Sequence, residues 1–188
     1  MANLLSDRAF PLCLYASQAE YAGAPENALV HKGFYNAWLE ASEDIVAEVT
    51  RLQTLYPDYS VACAGHSLGG ALAVHCAADL RTRGFNVTAY TYGQPRVGND
   101  VFSAWYTSME PNSLRITKYG DIYTRLPPQG FDFRYQPTEI FQNKTGSLVV
   151  CDASGEDPTC ANSVPVDELS DAAHWEYMGI AFGECYLQ

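Results

Sequence analysis

The sequence is short of positive charge. Its 188 residues carry 11 Lys and Arg against 22 Asp and Glu, a formal net charge of −11. A surface of that sign repels phosphate backbones, which argues against nucleic acid as a partner, and it lacks the basic cluster that holds anionic lipid headgroups. Long apolar runs are lacking too. The least polar stretch, residues 61–78, is free of Asp, Glu, Lys and Arg but contains His66, Ser67, His75 and three glycines. A strand, a turn and a helix account for it better than a transmembrane segment does. Residues 1–10 include Asp7 and Arg8 and lead into no apolar run of the kind a secretory signal needs. Repeats and low-complexity tracts are absent, and 47% hydrophobic with 18% charged residues is globular composition, which excludes a disordered chain. Six cysteines are too few for a disulfide-dominated scaffold, yet more than a reducing compartment usually explains.

What is present reads as one α/β domain over residues 1–188. Residues 36–56 place Trp38, Ile45, Val49, Leu52 and Tyr56 at helical spacing, and Pro57 follows. A short apolar run at 60–64 leads to Gly65, and a second helix is expected from Leu68 to the Arg83–Gly84 stop. Residues 87–92 alternate as a strand, 101–109 form a short helix capped by Asn99 or Asp100, and 114–119 form another strand. This alternation implies a largely parallel sheet. Beyond it, β-like runs at 131–135, 139–142 and 147–150 are expected as hairpin additions at the sheet edge, followed by a polar loop over 153–165.

Gly65-His66-Ser67-Leu68-Gly69 fits the pattern G-x-S-x-G. Composition alone would supply such a match in about 6% of chains of this length. Here, however, an apolar strand precedes it and a small-residue helix follows, as a nucleophile elbow requires. The glycines let the tight turn form without side-chain collisions. The turn exposes the Ser67 hydroxyl and aims the Leu68 amide, as an oxyanion-hole donor, and the helix N-terminus at developing negative charge. The rival is a glycine-rich turn with an inert serine.

A serine nucleophile needs a base and an orienting carboxylate. Of four histidines, His66 and His75 are expected to face packing partners. His31 precedes the serine, whereas the chain order in this architecture is Ser, Asp, His. His174 remains as base. Asp121, directly after a strand and Gly120, is the best-placed acid, ahead of Asp100, Asp132 and Asp171, which read as a cap, a turn and solvated surface.

With these residues in hand the chain resembles the fungal class 3 (Rhizomucor-type) triacylglycerol lipases and their feruloyl esterase relatives. The matching stretches are Val30-His31-Lys32-Gly33-Phe34-Tyr35-Asn36-Ala37-Trp38, the elbow through Ala73, and Tyr90-Thr91-Tyr92-Gly93-Gln94-Pro95-Arg96-Val97-Gly98-Asn99. Asp121-Ile122 with Leu126-Pro127-Pro128, and His174 with Tyr177, complete the set. The resemblance implies an α/β-hydrolase fold, Ser67 as nucleophile, Asp121 as acid, His174 as base, and no metal or cofactor. It makes His31, Gly33, Phe34 and residues 94–99 structural. It also implies a Cys151–Cys160 disulfide, secretion of the parent lineage, an ester or lipid substrate and transient contact with a lipid interface. Cys63 and Cys76 are expected as buried small apolar residues, and Cys13 is the available partner for Cys185. The Asn86 and Asn143 sequons matter only in a secreted chain.

Two departures accompany the match. Thr124 stands where the family has proline. The family's second oxyanion donor, lid and several strands lie upstream of the His-x-Gly-Phe motif, but only 30 residues precede His31, so an N-terminally shortened domain is expected. The readings are therefore a serine esterase or lipase, a feruloyl esterase, a non-catalytic remnant with a retained triad, and last a peptidase or acyltransferase.

Overall fold

The computed structural model describes residues 17–109 and 112–182. Cys13, Cys185 and residues 1–10 lie outside them. Two short strands, β1 (Gln18–Glu20) and β2 (Leu29–His31), pair antiparallel, a unit absent from the sequence reading. The expected 36–56 helix is instead two: α1 (Lys32–Leu39) and α2 (Ser42–Leu55). The chain tightens between them, where the Glu40 and Ala41 amides donate to Asn36 and Trp38 carbonyls at 3.2 and 3.0 Å. The apolar spacing runs through the break and therefore conceals it. Helix α1 starts one turn earlier than expected because His31 caps it, with Nδ1 accepting from the Phe34 amide at 3.3 Å.

The main sheet runs β3 (Val61–His66), β4 (Val87–Tyr92), β5 (Leu114–Lys118), β6 (Glu139–Gln142) and β7 (Leu148–Val150) in that spatial order. The first four are mutually parallel, with His66 opposite Tyr92 and Tyr92 opposite Ile116, so the C-terminal ends of β3, β4 and β5 gather at one edge. This corrects the expected hairpin additions. Of the expected runs, only β6 and β7 pair as a hairpin, whereas β6 joins β5 in parallel after a crossover. Residues 131–135 form no strand. They follow a 3-10 turn at Gln129–Phe131 and make a single bridge, Arg134 to Gly98. Phe133 and Tyr135 are almost fully buried there, so the alternation that suggested a strand reflects burial without ladder pairing.

Helix α3 (Leu68–Thr82) packs on β3 and β4. It buries Gly70, Ala71, Ala73, Val74, His75, Ala77, Ala78 and Leu80, and these mostly small residues let its backbone approach the sheet closely. Helix α4 (Asp100–Met109) is capped by Asn99, whose Oδ1 accepts from the Phe102 amide at 3.0 Å. Val30, Phe34, Val74, Leu80, Val87, Phe102 and Tyr106 fill the main core. A second, smaller core behind β6 holds Phe141, Ala161, Val164 and the Cys151–Cys160 disulfide. Because those two sulfurs are bonded to each other, they are not available as a zinc pair. Among the described residues, no helix is long and apolar enough to cross a membrane.

Candidate active site

Ser67 sits between β3 and α3 with φ 56° and ψ −126°, a region that costs a non-glycine residue about 1–3 kcal/mol. Packing enforces it. The Ser67 amide donates to the Tyr92 carbonyl of the neighbouring strand at 2.9 Å, and its carbonyl accepts from Gly70 at 2.9 Å. At Gly65 a Cβ would lie 2.1 Å from the Gly69 carbonyl oxygen, so only glycine serves there. Gly69 differs from expectation: a Cβ at that position meets nothing within 4 Å, so steric need does not explain it. Leu68 opens α3, in the turn whose amides lack intrahelical acceptors.

Asp121 follows β5 on a turn made by Gly120, and is fully buried. Its Oδ2 accepts from His174 Nδ1 at 2.8 Å and, in a short bond, from the Tyr177 hydroxyl, while Oδ1 accepts from the Tyr123 amide at 2.8 Å. Thr124, the departure from the family proline, donates its hydroxyl to the Asp121 carbonyl at 2.8 Å, a bond proline could not make. Burial, followed by the charge of Asp121, raises the Tyr177 hydroxyl well above its ordinary pKa, which keeps it a donor.

His174 lies on the 3-10 turn Ala172–Trp175, buried between the rings of Tyr123 and His66 at 4.2 and 4.4 Å. Asp171 holds this turn by accepting from Tyr123 Oη at 2.7 Å and Trp175 Nε1 at 3.1 Å, so its role is structural. His66 does more than pack, since its Nε2 donates to the His174 carbonyl at 2.8 Å. Burial and then the neighbouring His174 lower the His66 pKa, so it stays neutral near pH 7. His31 caps α1, and His75 is enclosed in the core, as expected of both.

Gly93, just past β4, joins serine to acid and base. It follows the Tyr92 carbonyl that holds Ser67, and a Cβ there would stand 3.0 Å from Asp121 Oδ2, 3.0 Å from His174 Cε1 and 2.9 Å from Tyr177 Oη. Its φ of +58° also favours glycine. The three expected residues are thus brought to one edge of the sheet. The acid–base pair is hydrogen-bonded, while among the described residues the buried Nε2 of His174 has no hydrogen-bond partner, Ser67 included. Contacts of that kind often tighten only when substrate binds. Sequence reasoning missed what Tyr177 and Gly93 contribute. Both stood in matching stretches, but the only signal for either role is spatial.

Residues 94–99 brace this edge, as the resemblance implied. Arg96 grips Glu156 with two bonds of 2.7 and 2.9 Å and donates to the Arg125 and Pro127 carbonyls beyond Asp121. Although burial works against it, this guanidinium holds the Glu156 carboxyl down at about 2.

The family model for Lipase (class 3) matches residues 4–131. The chain belongs to the class 3 lipases. It is 39% identical over 164 residues to a lipase of Rhizomucor miehei, covering 83% of this chain and 45% of that protein. To the secreted mono- and diacylglycerol lipase 1 of Fusarium solani it is 34% identical over 157 residues, covering 79% of this chain and 47% of the other. A solved triacylglycerol lipase, described as having a serine protease triad as its catalytic centre, superposes with a TM-score of 0.85 at 35% identity, over 97% of this chain and 68% of its own. The fold is that of the α/β-hydrolases, as the resemblance implied. The chain spans about half the length of the curated class 3 lipases it matches.

Proposed function

We propose that this chain carries the catalytic centre of a carboxylic ester hydrolase acting on acylglycerols. The observation that carries the reading is the buried Asp121–His174 pair, 2.8 Å apart, beside a serine held at positive φ on a strand–helix elbow. In this reading Ser67 Oγ attacks the ester carbonyl and His174 Nε2 takes its proton, then returns it to the departing alcohol. Asp121 holds the imidazole tautomer, with Tyr177 and the Tyr123 amide fixing the carboxylate in turn. The Leu68 amide, at the helix N-terminus, gives the tetrahedral oxyanion one contact. Water then enters by the same base and releases the acid from the acyl-enzyme. No step calls for a metal or cofactor.

The substrate class rests on relatives named for mono-, di- and triacylglycerols, which favours these over the cell-wall esters of a feruloyl esterase. Transient contact with a lipid surface is supported by Trp175, Met178, Ile180 and Phe182, all exposed apolar residues in the segment that follows His174. The disulfide and the Fusarium relative's designation as secreted support an extracellular location.

The test is labelling by a fluorophosphonate together with hydrolysis of short-chain nitrophenyl esters. The intact chain should label at Ser67 and turn over ester, with Ser67→Ala losing at least about 10³-fold in turnover. Hydrolysis that survives Ser67→Ala would sink the proposal. A folded chain that neither labels nor hydrolyses would be the non-catalytic remnant instead.

A further inference from the structure

Two cysteines take no part in the chemistry above, yet they meet across the elbow. Cys63 is the buried residue of β3 between exposed Ala62 and Ala64, so its side chain is directed into the helix layer. Cys76 lies two turns into α3, on the helix that packs against β3, and is half-buried. Their sulfurs stand 2.7 Å apart. Both pack in the main core, Cys63 buried as expected and Cys76 half-buried, and they also form a matched pair on either side of Ser67 in the chain.

We propose that Cys63 and Cys76 are a second disulfide site, closed by oxidation to tie β3 to α3 around the nucleophile elbow. Closing it requires the sulfurs to approach by only roughly 0.6 Å to reach bonding distance. The oxidant is a small-molecule disulfide such as oxidised glutathione, available in the oxidising surroundings in which bridges like Cys151–Cys160 form. Cys76 is the more accessible sulfur, and the hydrogen bond from Cys63 holds its thiol below the ordinary value, so it attacks first. Its thiolate displaces one thiolate from the oxidant and forms a mixed disulfide. Cys63 then loses its proton, attacks the Cys76 sulfur and expels the second thiolate. In sum two protein thiols give up two electrons and two protons, and the oxidant is reduced to two thiols.

The sequence makes the test direct, because no Lys or Arg lies between Arg51 and Arg81 and one tryptic peptide, residues 52–81, holds both cysteines. The intact chain is equilibrated with oxidised glutathione, alkylated with iodoacetamide without reduction, digested and weighed. The expected peptide is lighter by two hydrogens and carries no alkyl group, and prior reduction restores two alkylations. Oxidised chain should also need more urea to unfold than chain in which only this bridge has been opened. In Cys63→Ser the same oxidation should leave Cys76 alkylated or glutathionylated. Two alkylated sulfurs in oxidised, folded wild-type chain whose Cys151–Cys160 bridge is closed would overturn the proposal. So would cross-links from Cys63 or Cys76 to any other cysteine. The decisive reading comes from the wild-type chain and needs no variant to fold.

Discussion

Helices α2 and α3 are nearly equal in length, 14 and 15 residues, and opposite in fate. Helix α2 has the stronger amphipathic spacing, yet its only buried residue is Ser42, and Ile45, Leu52 and Leu55 are exposed. Helix α3 has weak periodicity, with apolar residues nearly all round, and buries eight positions. The difference lies in what each faces. Helix α3 lies across β3 and β4, whereas the apolar side of α2 looks onto a groove with Tyr56, Tyr59, Val61 and Ala62, beside what is, among the described residues, the edge strand β3. Periodicity tells which side of a helix is apolar. How far that side leaves water depends on the surface opposite it.

Helix α3 is where a substitution should cost most. Ala77 is fully buried against the sheet, and Ala77→Leu should cost about 3 kcal/mol through overpacking, read as a lower midpoint in urea unfolding. A loss under about 0.5 kcal/mol would show that α3 is not packed as tightly as its small residues imply. A second, intermediate effect comes from His75, enclosed in the core on the same helix among Tyr21, Tyr35 and Phe102. Burial, then the nearby His31, lowers its pKa from 6.5 to about 3. The folded chain keeps it neutral while the unfolded chain protonates it below pH 6.5. Its contribution is thus complete above pH 6.5 and is lost as pH falls toward 3, by up to about 1.4 kcal/mol per unit. Unfolding curves at pH 7 and pH 5 should show this loss, and His75→Phe should flatten it. The smallest effect belongs to α2, where Leu55→Lys at a 57% exposed position should change stability by no more than about 0.5 kcal/mol. A large destabilisation there would mean that Leu55 itself is covered in solution.

The candidate site was legible where chemistry and chain order coincide. Ser67 was marked by its glycine at 65 and by the strand and helix around it, and Asp121 was separated from Asp100, Asp132 and Asp171 by its place after a strand. His174 followed by elimination among four histidines. The break at residues 40–41 was not legible, because apolar spacing continues across two helices that share a side. The parallel pairing of β6 was equally hidden, since a four-residue strand carries no mark of its neighbour's direction.

By itself, the sequence determined local geometry: the elbow, its glycine at 65, and the apolar side of α2. These follow from backbone sterics and from contacts a few residues apart. Only the tertiary structure decided which distant groups meet. It set Tyr177 on Asp121 across 56 positions, left room only for glycine at Gly93, and closed Arg96 on Glu156 over 60. It also set Cys63 against Cys76 through the packing of a strand on its following helix. Such pairings depend on sheet order and layer packing, which no short stretch of residues encodes.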